Sequence, residues 1–361
     1  RLLPAGLTPG HLAPGRLSND MSKSSVSCHE SDPLDNNTWQ ICNAPNQHHQ
    51  APTDSELLLS NPLTDALSDY RISNEQRQLL IEAESYSGPS MITSFGSHTE
   101  KSPLHANEDR HCDSFHDDFT FFMVSDGHDG AEASSFAHDH LTWNVHRALQ
   151  VLEDTLPDGI CTIDHALHHA FFTTDNQFCQ KARRSSCTSG ACVLAATIRG
   201  RHLALANAGD CGVVYHDNEA QHGLVCKRHS AADIDEANRV RLAGGFIRGA
   251  RVMGILSPSR GFGDTDVRDS CPGSIIPDPD IRSIVIPLIK DTEQSPVFIV
   301  MGSDGVFDTL SLDAIVSIVK RSLLLHRNKP NRAEIAARKL VRQCAASSDD
   351  DVTAIVICFG P

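Results

Sequence analysis

The chain has 361 residues and a formal net charge of -15, with 31 lysines and arginines against 46 aspartates and glutamates. This length, with a 40% hydrophobic content, suffices for one large domain or two ordinary ones with a buried core. The acidic balance excludes the basic surface that nucleic acids and anionic membranes require, so we expect neither as a partner.

The cysteines and the hydropathy pattern bear on the compartment. The 12 cysteines form no CxxC pair, which disfavours a disulfide framework and a structural zinc site. No apolar run approaches the roughly 18 to 20 residues that cross a bilayer, and the first residues lack the hydrophobic core of a signal peptide. We therefore expect a soluble protein in the cytoplasm, the nucleus or both. The stretch before Met21 leaves a transit peptide, a fragment boundary and an upstream start open.

Residues 1–88 differ in composition from the rest of the chain. They are rich in Pro, Ser, Asn, Gln and His, and their hydrophobic periodicity is weak apart from a helix predicted around residues 74–84. We predict that residues 1–88 form a largely disordered extension and that residues 89–361 form one domain.

Within this domain, short β-prone apolar runs alternate with helical patterns. Strands are predicted at 119–124, 191–198, 203–206, 281–286, 297–301 and 352–359. Helices are predicted at 131–152, 163–181, 232–243, 312–325 and 333–346, the last two capped by Ser311 and Asn331. The second and third strands, joined by Arg199-Gly200-Arg201, are typical of an antiparallel hairpin. The pattern predicts an α+β domain, and no P-loop or GxGxxG after a strand supports a nucleotide fold.

Acidic residues recur at the ends of the predicted strands. Two strands lead into Asp126-Gly127-His128 and into Asp304-Gly305. Two further acidic groups, Glu108-Asp109 and Asp350, come shortly before the first and the last predicted strand. Each group alone is also typical of a solvated turn. Together they predict a hard divalent cation, because clustered carboxylates cannot all stay ionised without compensation, and oxygen ligands suit magnesium or manganese.

Ordered motifs along the domain carry a resemblance to a known family. They are Glu108-Asp109, Asp126-Gly127-His128-Asp129-Gly130, Thr188-Ser189-Gly190-Ala191, Ala206-Asn207-Ala208-Gly209-Asp210, Ser259-Arg260-Gly261-Phe262-Gly263-Asp264, Ser303-Asp304-Gly305-Val306-Phe307-Asp308 and Asp350-Asp351-Val352-Thr353. In their order and spacing, residues from about 90 to 359 resemble the type 2C, or PPM, family of metal-dependent serine/threonine protein phosphatases. The resemblance implies a central sandwich of two antiparallel β-sheets flanked by helices, with a two-metal centre in a cleft at one edge.

The resemblance also implies a role for each acidic residue. Asp126 would bridge two Mg²⁺ or Mn²⁺ ions. Glu108 and the Gly127 carbonyl would serve one of the ions, and Asp304 and Asp350 would serve the other. A water between the two ions would lose a proton easily and attack phosphorus in line.

Further roles follow from the same resemblance. Asp109 would hold metal-bound water, and His128 would act as the general acid that protonates the leaving alkoxide. Asp210 and Asp308 match acids of a third, weaker metal position, although an aspartate is also typical of a turn there. Arg260 matches a structural position rather than a substrate-binding one.

The chain departs from the family pattern at three places. The family has an arginine shortly before the acidic pair, where it grips the substrate phosphate through two prongs. Here residues 98–105 offer Lys101 and the two histidines His98 and His105 instead. Asp129 stands where the family has Gly, and Asp351 stands where it has Asn, so both add negative charge near the cations.

These observations predict a monomeric, metal-dependent phosphatase that hydrolyses phosphoserine and phosphothreonine in proteins. A mobile flap, expected near residues 265–279, would influence substrate choice. The alternative is a catalytically weak or inactive PPM-like pseudophosphatase that acts as a binding or regulatory module, which the missing arginine motivates. An acidic calcium-binding module ranks last, because no DxDxDG loop occurs.

Overall fold

The computed structural model of the chain describes residues 74–155, 163–217, 223–288 and 296–360, and the predictions for residues 1–73 lie outside these ranges. The helices are α1 (Asn74–Glu84), α2 (Glu132–Thr155), α3 (Ile163–Ser185), α4 (Ile234–Leu242), α5 (Thr265–Ser270), α6 (Asp304–Phe307), α7 (Leu312–Leu325) and α8 (Arg332–Ala345). The strands are β1 (Ile92–Glu100), β2 (Arg110–Phe115), β3 (Thr120–His128), β4 (Gly190–Arg199), β5 (His202–Ala208), β6 (Gly212–His216), β7 (Gly223–Leu224), β8 (Ile247–Arg248), β9 (Arg251–Val252), β10 (Phe262–Gly263), β11 (Asp280–Val285), β12 (Val297–Gly302) and β13 (Val352–Phe359). None of the described helices is long and apolar enough to cross a membrane.

Most of the strands form two antiparallel sheets. One sheet has the order β1-β13-β12-β6-β7, and the other has the order β11-β5-β4-β3-β2 with β10 beside β4. Strands β8 and β9 form a separate hairpin. Every residue of β5 and of β13 is buried, which explains why these strands read as continuous apolar runs in the sequence.

Three apolar layers hold the sheets and helices together. Phe122 and Ile357 belong to the layer that joins the two sheets. Phe121, next in the chain to Phe122, points to the opposite face and packs with α2 and α3. Residues of α7 and α8 cover the other side of the first sheet, around Val300. The predicted sandwich of two antiparallel sheets flanked by helices is confirmed.

Two local predictions differ from the structure. Ser311 does cap α7, since its hydroxyl accepts a hydrogen bond from the Ala314 amide at 3.3 Å, but Asn331 makes no such bond to α8. The Asn331 backbone is not extended as an N-cap requires, and its amide reaches the Glu334 carboxylate instead. Residues 265–279, where a flap was expected, contain α5 and bury three apolar side chains against the domain: Val267, Cys271 and Ile275.

Helix α1 packs on the turn between β4 and β5. Leu80 and Ala83 are buried, and the Arg201 amide donates a hydrogen bond to the Ala83 carbonyl at 2.8 Å. Gly200 adopts a left-handed conformation there, and a Cβ at this position would lie 2.4 Å from the same carbonyl oxygen. Glycine is therefore required for the helix to approach the turn.

Candidate active site

The acidic strand ends converge at one edge of the sandwich. Asp126 lies near the end of β3, Asp210 follows β5, and Asp304 opens α6 directly after β12. The Asp304 amide donates to Asp126 Oδ2 at 3.3 Å, which joins the two sheets at this point. Ligand oxygens of the three carboxylates all lie within 4.8 Å of one another. We call these three residues the carboxylate cluster.

The electrostatics of the carboxylate cluster are unfavourable without a cation. Burial and the charges of Asp109, Asp304, Asp210 and Asp350 raise the pKa of Asp126. Burial and neighbouring carboxylates also raise the pKa of Asp304 to about 7. Crowded acids of this kind must either take up protons or bind a divalent ion. The donor set, all oxygen, fits a hard cation.

Asp109 lies beside the carboxylate cluster with its acceptors free. The side chain is buried, and neither carboxylate oxygen has a hydrogen-bond partner within the described ranges. Burial raises its pKa to about 7, against the opposing effect of the Thr353 and Ser303 hydroxyls. Buried acceptors without partners are rare, so this position fits an ordered water or hydrated ion.

Glu108 and Gly127 are held together by close backbone packing. The Glu108 carbonyl accepts a hydrogen bond from the Ser134 hydroxyl at 2.5 Å, and Glu108 Oε1 accepts one from the Gly130 amide at 3.0 Å. A Cβ on Gly127 would lie 2.6 Å from the Glu108 carbonyl oxygen. Only glycine therefore allows the two backbones to meet here.

Asp350 and Asp351 are neighbours with different environments. Asp351 is buried, and its carboxylate accepts hydrogen bonds from the amides of Ser102 at 2.6 Å and Glu108 at 2.7 Å. The aspartate that departs from the family pattern thus anchors the loop that carries Glu108. The Asp350 side chain is 57% exposed and lies outside the carboxylate cluster, although its charge raises the pKa of Asp304.

His128 is oriented by a residue to which the sequence assigned no role. Its Nε2 lies 2.8 Å from Oδ1 of the buried Asp264. Burial lowers the pKa of His128, but the charge and hydrogen bond of Asp264, with Asp210 and Glu108, outweigh it and raise the pKa overall. A Cβ on Gly190 would lie 2.3 Å from the imidazole, so the glycine makes room for the pair. The sequence motif that ends at Asp264 could have indicated this residue as a partner of the site.

The structure separates Asp308 from Asp210. Asp210 is buried in the carboxylate cluster, whereas the Asp308 side chain is 66% exposed. Arg228 lies between them: its Nη2 is 2.8 Å from Asp308 Oδ1, and its Nε donates to the Asp210 backbone carbonyl. Sequence reasoning missed Arg228, because no motif includes it.

The two other departures from the family pattern are Asp129 and the missing arginine before Glu108, and the structure shows the surroundings of both. Asp129 has a φ of 54°, a conformation that glycine favours and aspartate tolerates, and its carboxylate accepts a hydrogen bond from the Thr188 hydroxyl. Lys101 is exposed, whereas His105 Nε2 lies 4.0 Å from Asp350. His105 and Arg228 are therefore basic groups that contact residues of the site, and Arg110 is a third, since its Nη1 donates to the Asp109 carbonyl at 2.7 Å.

Comparisons with known proteins identify the family. The family model described as Protein phosphatase 2C matches residues 93–353. The chain is 30% identical over 247 residues to probable protein phosphatase 2C 47 of Oryza sativa subsp. japonica, covering 66% of this chain and 60% of that protein. It is 30% identical over 246 residues to probable protein phosphatase 2C 27 of Arabidopsis thaliana, covering 67% of this chain and 59% of that protein. The chain thus spans about three fifths of the length of these relatives.

Solved structures share the fold. A serine-threonine phosphatase 2C from Toxoplasma gondii superposes with a TM-score of 0.61 at 17% identity, covering 75% of this chain and 98% of that one. A C. elegans sex determining protein superposes with a TM-score of 0.63 at 22% identity, covering 85% of this chain and 73% of that one. Because the family model matches residues 93–353, well over half of the chain, the chain belongs to the protein phosphatase 2C family.

Proposed function

We propose that this chain hydrolyses phosphoserine and phosphothreonine in proteins with the help of two divalent cations. The observation that carries the proposal is the carboxylate cluster, whose three oxygens lie within 4.8 Å of one another. The pKa values of Asp126 and Asp304 are raised there by burial and like charges, and the pKa of Asp210 stays raised although Arg228 and His128 oppose the effect. A stable fold gains nothing from such crowding, so we attribute it to cation binding.

Magnesium or manganese would be held by Asp126, Asp304 and Asp350, with Glu108 and the Gly127 carbonyl completing the ligands. Bound there, the ions supply Lewis acidity and make water acidic near neutral pH. A third ion at Asp210 and Asp308 has less support, because the Arg228 guanidinium already joins Asp308 to the Asp210 backbone. We therefore propose two ions for this chain.

Side chains of the protein orient the attacking water and transfer a proton to the leaving group. The unpartnered Asp109 oxygens accept hydrogen bonds from the attacking water and fix its direction. Asp264 holds His128 through Nε2, which leaves Nδ1 to carry a transferable proton. The raised pKa of His128 keeps this proton bound at higher pH than usual, so His128 can protonate the serine or threonine alkoxide as it leaves.

The remaining proposals concern the setting of the reaction. We propose phosphoproteins as substrates, a monomer as the active form, and the cytoplasm or nucleus as the compartment. Nine cysteines of the described ranges form no disulfide, which supports a reducing compartment.

The test uses two aspartates four residues apart. Asp304→Asn removes a ligand from the carboxylate cluster, and we expect Mn²⁺-dependent hydrolysis of a phosphothreonine peptide to fall at least ~100-fold. Asp308→Asn is the matched control, because its carboxylate lies outside the cluster. A chain that binds Mn²⁺ but hydrolyses no faster than Asp304→Asn would instead be a pseudophosphatase, the alternative that the missing arginine motivates.

A further inference from the structure

A buried ion pair lies behind the contact between His128 and Asp264. It joins Asp175 of α3 to Arg268 of α5, with Oδ2 of the aspartate 2.7 Å from Nη1 of the arginine. The two side chains are only 7% and 12% exposed. Burying two charges has a desolvation cost that their attraction often fails to offset, and apolar side chains of similar volume stabilise a fold as well. The pair therefore indicates a role beyond joining two helices.

A second ion pair already joins the same two helices at the surface. Arg183 of α3 binds Asp269 of α5, with Nη2 at 2.7 Å and Nε at 3.1 Å from the same carboxylate oxygen. These side chains are 48% and 55% exposed, so the contact requires little desolvation. Within the described ranges, neither of the two side chains bonds to residues 261–264. The surface pair thus joins the helices without touching the segment that carries Asp264.

The buried pair, by contrast, binds the backbone on both sides of Asp264. Arg268 Nη2 donates to the Gly261 carbonyl at 2.6 Å, and Asp175 Oδ1 accepts a hydrogen bond from the Gly263 amide at 2.9 Å. The Arg268 amide donates to the Asp264 carbonyl at 3.0 Å. The peptide groups before and after Asp264 are therefore both fixed by the two residues of this pair.

Asp264 has a backbone conformation that needs such support. Its φ is 51°, in the left-handed region, although it is not a glycine. It directly precedes α5, yet its carboxylate makes no capping hydrogen bond to that helix. Instead, Oδ1 lies 2.8 Å from His128 Nε2. A left-handed residue of this kind persists only where the surrounding structure fixes it, so the buried pair keeps the carboxylate directed at the imidazole.

The direction of the Asp264 carboxylate decides how the His128 ring is oriented. Because Nε2 is occupied by Asp264, the proton for the leaving group is carried by Nδ1. In the proposed reaction the bond between phosphorus and the leaving oxygen breaks, and that oxygen takes the proton from Nδ1. Such a transfer needs the two atoms within about 3 Å of each other, so a rotated ring would slow it.

We propose that Asp175 and Arg268 are positioning residues for this proton transfer. They hold the backbone of residues 261–264 and thereby keep the Asp264 carboxylate against the His128 imidazole. The two residues are 93 positions apart in the chain, and neither belongs to a motif of the sequence. The proposal rests on the proposed phosphatase function and adds two residues to its proton-transfer step.

The kinetic test compares two leaving groups. The alkoxide of a phosphothreonine peptide needs a proton as it leaves, whereas p-nitrophenolate leaves p-nitrophenyl phosphate readily without one. In Asp175→Asn we expect kcat for the peptide to fall at least ~10-fold more than kcat for p-nitrophenyl phosphate, with the KM of the peptide unchanged. Arg183→Gln, which breaks the surface pair between the same helices, is the matched control and should keep the wild-type ratio of the two rates.

A double-mutant cycle tests whether the effect passes through His128. In His128→Ala the proton donor is gone, so adding Asp175→Asn should lower kcat for the peptide less than ~2-fold further. An effect of Asp175 on the metal site would instead multiply with that of His128→Ala, because the two would then act independently.

A conservative variant keeps the charge of the pair and removes its geometry. In Arg268→Lys the ammonium can reach Asp175, but it lacks the planar fork that bonds the carboxylate and the Gly261 carbonyl together. The protein keeps its buried ion pair and should fold even if Asp175→Asn does not. We expect the same selective loss on the phosphothreonine peptide, at least ~3-fold relative to p-nitrophenyl phosphate.

Amide hydrogen exchange of residues 261–271, read by mass spectrometry, tests the positioning without turnover. Exchange should be faster in Asp175→Asn than in the wild type and unchanged in Arg183→Gln. Equal losses on both substrates, a full further loss in the His128→Ala background, or unchanged exchange would each overturn the proposal. If the wild type hydrolyses neither substrate, the phosphatase function fails, while the exchange measurement still decides whether the buried pair holds this segment.

Discussion

The two ends of the β3-β4-β5 sheet both bury charge, but they balance it differently. At one end, Asp126, Asp210 and Asp304 bring three carboxylates together. At the other end, where β4 turns into β5, His202 lies between two acids: its Nδ1 is 2.7 Å from Glu84 and its Nε2 is 3.4 Å from Asp164. The second end contains its own cation, whereas at the first end the pKa values of the carboxylates stay raised despite the nearby Arg228 and His128.

The pKa values express this difference. Burial lowers the pKa of His202, yet hydrogen bonds and charges from Asp164 and Glu84 outweigh it and raise the pKa to about 9. At the carboxylate cluster, burial and like charges act in the same direction and raise the pKa of Asp304 to about 7. Buried charges that are paired with opposite charges therefore indicate a structural contact, here between α1 and the sheet. Buried charges of one sign that lack such pairing indicate a binding site.

Removing a charge from the balanced end should have the largest effect on stability. Glu84→Gln takes one partner from His202, from Arg199 at 3.5 Å and from the Ile163 amide. We expect a loss of about 3 kcal/mol in the free energy of unfolding, because a buried charge loses its counterion. Urea denaturation measures it, with the exposed Glu82→Gln on the same helix as control. Equal midpoints for the two variants would contradict the structural role.

The pH dependence of stability should report the contacts of His202 with Glu84 and Asp164. The folded-state pKa of His202 lies above its ordinary value of 6.5, so its contribution is complete below pH 6.5 and is lost as the pH rises through about 9. The full contribution is about 3 kcal/mol. The free energy of unfolding of the wild type should change more between pH 6.5 and pH 9.5 than that of His202→Asn. Parallel pH profiles would rule out this contribution.

Adding a divalent cation should stabilise the protein through the carboxylate cluster. Mn²⁺ at a concentration 100 times its Kd should raise the free energy of unfolding by about 2.7 kcal/mol, because the ion binds only the folded protein. Thermal melts with Mn²⁺ and with a chelator measure this difference. Asp308→Asn should keep the stabilisation and Asp304→Asn should lose most of it; equal shifts in both would place the ion elsewhere.

The smallest expected effect is that of Asp304→Asn on the stability of the metal-free protein. Without metal at pH 8, Asp304→Asn should increase stability by about 1 kcal/mol, because it relieves like-charge repulsion at a partly buried position where solvent still screens part of the charge. The same variant should lower the proposed activity in the presence of metal. Chelator-treated protein in urea tests this prediction, and a loss of stability would show that the Asp304 carboxylate supports the fold.

Sequence patterns predicted the parts of the fold that depend on local periodicity. The buried strands β4 and β12 and the helices α3 and α7 were visible as apolar runs and helical repeats, since tertiary packing covers them on regular faces. Strand β1 was not predicted, because most of its positions are half-buried and its residues are largely polar. Its pairing with the fully buried β13 supplies the stability that its own side chains do not signal.

By itself, the sequence determined which acids stand at strand ends, because a short apolar run followed by Asp-Gly is a local pattern. Only the tertiary structure decided which of them meet: it joined Asp126, Asp210 and Asp304, left Asp308 with Arg228, and set Asp264 against His128 across 136 positions of the chain. Such contacts depend on how two sheets and their loops pack. Burial and charge are properties of that packing, and a one-dimensional pattern does not contain them.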